Sequence, residues 1–129
     1  ANTDADSVVE PDWLVHQLDH AESGAHVVAG TVSPDVDGAT LRRWRAEHDA
    51  GDGHPHVHGA NLGIRGDALV SLGGWPAFAT GEDVELVARA SAAGFAVVRT
   101  GRHPVRTSAR RVGRAPKGFS SYLAALDER

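Results

Sequence analysis

The feature that most constrains this chain is an alternation. From Pro11 onward, segments with helically spaced apolar residues take turns with short β-branched runs, and glycines punctuate the changes. The first helix is expected over Pro11 to about Glu22. Pro11 suits a first helical position, Asp12 complements the positive helix end, Leu14, Leu18 and Ala21 share a face, and Gly24 supplies a stop. His26 to Val32 reads as a strand and 34–38 as a turn. Ala39 to about Ala50 reads as a second helix with Leu41 and Trp44 near one side, and 51–58 as a loop rich in Gly and Pro. Ala60 to Ile64 suits a short strand and 67–72 a short helix that Gly73-Gly74 breaks.

The strongest helical pattern is Glu82 to about Ala93. Val84, Val87, Ala88 and Ser91 are spaced for burial, and Glu85 and Arg89 form an i,i+4 pair. A strand over Phe95 to Thr100 and a last helix over about Phe119 to Leu126 complete the order. Helices alternating with strands predict an α/β layered fold, here a small parallel sheet of two or three strands. Residues 1–9 offer no strand of their own.

Composition narrows the function classes. Net charge is −4, and the single Lys, Lys117, stands among many Arg, so no dominant positive field exists to attract phosphate chains. No nucleic-acid partner is expected. The absence of cysteine rules out a disulfide scaffold or thiolate metal site and suits a reducing, cytoplasmic setting. No apolar run approaches the roughly 18–20 residues that span a bilayer, and the N-terminus has no basic-then-apolar signal pattern.

Three constellations offer chemistry. Asp4-Ala5-Asp6 places two carboxylates on one side of an extended segment, where hard oxygens suit Mg²⁺ or Mn²⁺. Thr80-Gly81-Glu82-Asp83 opens the strong helix, where the dipole favours negative charge and a carboxylate facing a cleft can accept a proton from a hydroxyl. His58-Gly59-Ala60-Asn61-Leu62-Gly63-Ile64-Arg65, followed by Gly73-Gly74-Trp75, combines glycines that permit close backbone approach with an amide and an indole.

In order and spacing, DAD, HGANLGIR, GGW and TGEDVELVAR resemble the family 2 glycosyltransferases of the GT-A fold, from residue 3 to about residue 99. The resemblance implies a partial GT-A, Rossmann-like sheet covered by helices, the whole of 1–129 being the C-terminal, acceptor-side part of a catalytic domain that lacks the N-terminal nucleotide-binding half. It implies a DXD-type metal site at Asp4 and Asp6 holding Mg²⁺ or Mn²⁺ and a nucleotide-sugar donor. It makes Asp83 the catalytic base, helped by Glu82, and has Gly59, Asn61, Gly74 and Trp75 line the site. His103 is a candidate third metal ligand. The acceptor is open among glycan, lipid and small molecule, and so is association of the parent protein with the cytoplasmic face of a membrane. The Gln-x-x-Arg-Trp motif of processive members is absent, which points away from channel-coupled synthases. The arginines of RTGRHPVRTSARRVGR, Arg99 to Arg114, are candidates for a diphosphate or an anionic acceptor, or form a solvated basic face.

Two other readings stand beside this one. His54, His56 and His58 alternate in HPHVH and, if extended, project to one side, as a Zn²⁺ or metallohydrolase-like site would require. Alternatively the chain is a non-catalytic acceptor-binding domain.

Overall fold

The structure is a computed structural model of the full chain, and residues 1–48, 51–110 and 122–125 are described. It is an α/β fold, a four-stranded mixed sheet with helices packed on it. The elements are β1 (Ser7–Val8), α1 (Trp13–Glu22), β2 (Val27–Pro34), α2 (Gly38–Glu47), a 3-10 turn (Gly59–Asn61), β3 (Leu62–Ile64), α3 (Gly66–Ser71), α4 (Glu82–Ala92) and β4 (Val97–Thr107). The order across the sheet is β1-β4-β2-β3. Only β2 and β4 run parallel; β3 pairs with β2, and β1 with β4, antiparallel. The expected parallel sheet is therefore corrected to a mixed one. The connection from β2 to β3 spans residues 35–61 and includes α2, long enough for a parallel crossover, so it is the register of β3 on β2 and not loop length that sets the antiparallel pairing.

β2 is buried along nearly its whole length, which its run of Val, Ala and Thr permits on both faces of a central strand. Val27 and Ala29 pack with Leu62 against Leu86, Val87 and Ala90 of α4. The other face of β2 meets α1, where Gly30 and Gly63 lie against the side chains of Asn61 and Gln17. A second cluster gathers Trp13 of α1, Trp44 of α2, Val32, Ala60, Val105 and Leu123. Residues 122–125 are helical, and the rest of the expected last helix, Phe119 included, lies outside the described residues.

Two helix faces differ from expectation. Val84, Ala88 and Ser91 of α4 face solvent, while Leu86, Val87 and Ala90 are buried. The helix is turned so that its larger apolar residues meet β2 and its acidic first turn faces a cleft. On α1, Leu14, Val15 and Leu18 are exposed, and Trp13, His16 and Gln17 face the sheet.

β4 runs past Thr100, where the expected strand stops, through Gly101 and Pro104 to Thr107. The reason is a large bulge. Gly30 pairs with Thr100 and Val32 with Val105, so residues 101–104 lie opposite Thr31 alone. A bulge is where a strand tolerates proline, because the ladder is already interrupted. Within it His103 has a left-handed backbone, φ 55°, uncommon for a residue with a side chain. The interrupted ladder frees the carbonyls of Thr31 and His103, and the side-chain amide of Asn61 donates to both, at 2.7 and 3.2 Å. The Oδ1 of Asn61 accepts from the Trp13 indole N–H at 2.9 Å. One buried amide thus joins α1, β2 and β4.

The N-terminal segment does form a strand, contrary to expectation, because the end of β4 leaves an edge that Ser7–Val8 can pair with. Ser7 registers with Thr107, and their hydroxyls are hydrogen-bonded at 2.9 Å. Asn2 bridges to Leu62, with Asn2 N–H donating to its carbonyl at 2.8 Å. Anchored on β3 at one end and β4 at the other, residues 3–6 cross the sheet and carry Asp4 over the cleft.

Candidate functional site

The C-terminal ends of parallel strands are where open α/β sheets bind ligands, because backbone groups and loops diverge there and leave a crevice. Here Val32 of β2 and Thr107 of β4 border a cavity of about 420 Å³. One wall is acidic: Asp4 from the crossing segment, and Thr80, Gly81, Glu82 and Asp83 from the start of α4. Trp44, His48, His58 and Tyr122 add an aromatic part to the lining.

Local sequence explains how Asp83 is aimed. Gly81, the cap of α4, has φ 80°, a left-handed turn that a side chain would disfavour. It swings the chain into the helix so that Glu82 and Asp83 face the cavity. Asp83 Oδ2 accepts from the Gly59 backbone N–H at 2.7 Å, and Oδ1 from the Val84 N–H at 2.8 Å. A carboxylate has about four lone-pair positions, so two backbone donors fix its plane and leave it able to accept a proton.

Asp4 shows how closely the carboxylates gather. Its pKa is raised above the ordinary carboxylate value, first by burial of the carboxyl in the cleft and then by the negative charges of Asp6, Asp83 and Glu82. Asp6 does not line the cavity. Its carboxylate is paired with Arg110 at 2.5 Å, and that pair ties the crossing segment to the chain after β4. The cluster is rich in hard oxygen donors, which fit Mg²⁺ or Mn²⁺ in chemical kind, with Asp4 the best-placed ligand and Asp6 already engaged. Among the described residues no three of these carboxylates bring their oxygens within 4.8 Å of one another.

The remaining sequence-predicted residues divide. Gly59 lines the cavity and holds Asp83. Asn61 does not line it; it is buried with the interstrand role described above. Gly74 and Trp75 also lie outside the lining. The Gly74 N–H closes α3 by donating to the Leu69 carbonyl at 2.9 Å, and Trp75 is 39 % exposed. His103 is not in the acidic cavity; its ring stacks on His16 of α1, centroids 3.3 Å apart.

The arginines are mostly engaged with the protein. Arg99 donates to the carbonyls of Pro55 and His56 at 3.0 and 3.2 Å, and Arg102 lies 3.7 Å from Asp52. Arg111 and Arg114 lie outside the described residues. The His54, His56 and His58 rings form no convergent trio: neighbouring centroids are 6.1 Å apart, and His54 Nε2 is turned to the Thr100 carbonyl at 3.2 Å.

Sequence reasoning missed the aromatic wall. Trp44 is 4 % exposed, stacked by His48 at 3.5 Å and met edge-on by Tyr122 at 5.5 Å. The hydroxyl of Tyr122 bonds the Glu47 carboxylate. Burial, then the neighbouring His56, His48 and His54, pushes the pKa of His58 down to about 4, so its ring is neutral near pH 7 and offers one donor and one acceptor. His58 was singled out in the sequence, heading HGANLGIR and closing HPHVH, but nothing there joined it to Trp44, His48 and Tyr122.

No family model matches the chain, and neither a curated protein nor a solved structure is significantly similar to it.

Proposed function

We propose that this chain is the acceptor-side half of a metal-dependent inverting glycosyltransferase of GT-A type, transferring a sugar from a nucleotide-diphosphate donor to an acceptor hydroxyl. One observation carries the reading: Asp4 and the adjacent pair Glu82 and Asp83, distant in sequence from it, meet on one cavity at the C-terminal ends of the parallel strand pair. The motif resemblance calls for these three carboxylates and Gly59 together, and for Asp6, Asn61, Gly74 and Trp75 as well, which do not line this cavity. The meeting of the three carboxylates also fits the chemistry, since a single displacement at an anomeric carbon needs a base on one side and charge neutralisation on the other.

Asp83 is the base. Its carboxylate, held by the Gly59 and Val84 N–H groups, takes the proton of the acceptor hydroxyl as that oxygen attacks. Glu82 adds negative charge beside the acceptor position. Asp4, with Asp6 if Arg110 releases it, would hold the divalent cation, which supplies Lewis-acid neutralisation of the departing diphosphate. The positive character that develops on the sugar resembles that in glycoside hydrolysis, and the neighbouring carboxylates favour it electrostatically. The aromatic wall excludes water and bounds the volume in which donor and acceptor are positioned.

Two measurements test this. With Mn²⁺ added, amide signals of residues 4–6 and 81–84 should broaden while those of 66–71 remain sharp; uniform behaviour rejects a cation at the acidic wall. In the enzyme as the cell makes it, Asp83→Asn should lower transfer by about 10²–10⁴-fold, the usual worth of a general base, with donor binding retained. Unchanged turnover removes Asp83 as base, and donor binding without turnover in the unaltered enzyme favours the acceptor-binding domain instead.

A further inference from the structure

We propose that Asp12, His16 and His103 form a second metal site, selective for a borderline dication of the Zn²⁺ class and separate from the acidic cavity. The proposal is independent of the sugar-transfer reading. Asp12 and His16 lie one turn apart at the start of α1, with Asp12 Oδ2 and His16 Nε2 3.0 Å apart. His103 reaches them from the β4 bulge. Each of the three offers a ligand atom, and these atoms all lie within 4.8 Å of one another, the only such trio of His, Asp or Glu among the described residues.

Donor atoms bound to one tetrahedral ion at about 2.0–2.2 Å sit roughly 3.3 Å from one another. The Asp12–His16 separation is already close to that. The His103 ring is now stacked on the His16 ring, 17° from parallel with centroids 3.3 Å apart, so the two rings must leave the stack for both to aim an in-plane nitrogen at one ion. Two imidazole nitrogens and one carboxylate oxygen suit Zn²⁺ or Co²⁺ and are a poor set for Mg²⁺, which prefers all-oxygen coordination.

Two further features point the same way. Asp19 Oδ2 lies 3.9 Å from His16 Nδ1, on the far side of the ring from Asp12. At that separation it is no hydrogen bond, but it places negative charge beside the Nδ1 that carries the proton when Nε2 ligates a metal. The site also has an open side. His16 and His103 both border a cavity of about 510 Å³ that is distinct from the acidic one, so a fourth position is accessible to water or a small anionic ligand.

The test uses the full chain, freed of metal and titrated with Co²⁺. Visible absorption reports coordination, and imidazole ¹⁵N spectra report which rings respond. The Co²⁺ that shifts the His16 and His103 signals should saturate at one equivalent, be displaced by Zn²⁺ and survive millimolar Mg²⁺, whatever the acidic cavity binds. His103→Gly removes the ligand while suiting the left-handed backbone, so the fold is kept and affinity should fall by at least about tenfold; His56→Ala should match the unaltered chain. Undiminished affinity in His103→Gly overturns the proposal. So does absence of Co²⁺ binding, or shifts confined to His48, His54, His56 and His58, and the ring spectra decide this in the unaltered protein whether or not a variant folds.

Discussion

Replacing Gly30 by alanine should destabilise this protein sharply, although alanine in a strand is ordinarily about 0.5–1 kcal/mol better than glycine. A Cβ at that position would stand 2.3 Å from Asn61 Nδ2, 2.4 Å from Cγ and 2.6 Å from Oδ1. Asn61 is 1 % exposed, and its amide is committed to the Trp13 indole, the Thr31 carbonyl and the His103 carbonyl. Moving it by the ångström or more that contact distances demand breaks these bonds where water has little access. Each buried group left unpaired costs about 1–3 kcal/mol. Some relaxation will recover part of that, which leaves about 3–5 kcal/mol, a large fraction of a typical domain's stability. Urea unfolding followed by tryptophan fluorescence measures it, alongside Asn61→Ala and the double variant. Once the amide is gone the new methyl has room, so the double variant should be no less stable than Asn61→Ala alone, a coupling at least as large as the about 3–5 kcal/mol that Gly30→Ala costs by itself. A neutral or stabilising Gly30→Ala, or costs that simply add, would refute the packing argument.

Other outcomes follow from the electrostatics. The Asp4 carboxyl should titrate above the ordinary carboxylate range in a side-chain NMR titration, and Mg²⁺ should lower that midpoint by offsetting Asp6, Asp83 and Glu82; a midpoint indifferent to Mg²⁺ would count against a cation beside it. His58 has the opposite sign of linkage. Its folded value of about 4 lies below the ordinary 6.5, so the unfolded chain binds the extra proton, and stability present above about pH 6.5 is lost as pH falls toward 4. The loss from this group is at most about 3 kcal/mol. His58→Gln should flatten the pH dependence of unfolding across that window, and an unchanged slope would exclude His58 as its source.

The alternation of helices and strands was legible because each segment carried its own period and its own glycine stop, as at Gly24 and Gly94. The Glu85–Arg89 pair also forms as spacing dictated, at 3.0 Å. What the pattern did not carry was any property created between segments. Gly101 and Pro104 look like a strand end because a local reading has no means of seeing Asn61, 42 residues away in sequence from His103, take the carbonyls that the bulge releases. Ser7–Val8 has too few residues to show a strand period and becomes one only by finding the edge of β4. On α4, Val84 fits the same helical spacing as the buried residues, yet it is 54 % exposed because Leu86 and Ala90 win the contact with β2.

The candidate site divides along the same line. Asp4, Glu82, Asp83 and Gly59 were readable because motif order placed them together, and they border one cavity. Asn61 was readable as important but not for its part: an amide with donor and acceptor serves an interior junction as well as it serves a ligand. The joining of His48, His58 and Tyr122 was opaque, since residues just past α2, in a loop and on the 122–125 helix become one wall only through tertiary packing around Trp44.

The Asn61 amide has a consequence for how this protein can change. Its backbone continues the turn whose Gly59 N–H steadies Asp83, while its side chain fastens the carbonyl of His103 on the opposite flank of the sheet. The two flanks therefore share a single anchor, and an alteration that suits one is felt by the other. Variation is free to accumulate along the solvent face of α1, at Leu14 and Leu18, but the acidic cleft and the histidine pair are tied through one residue.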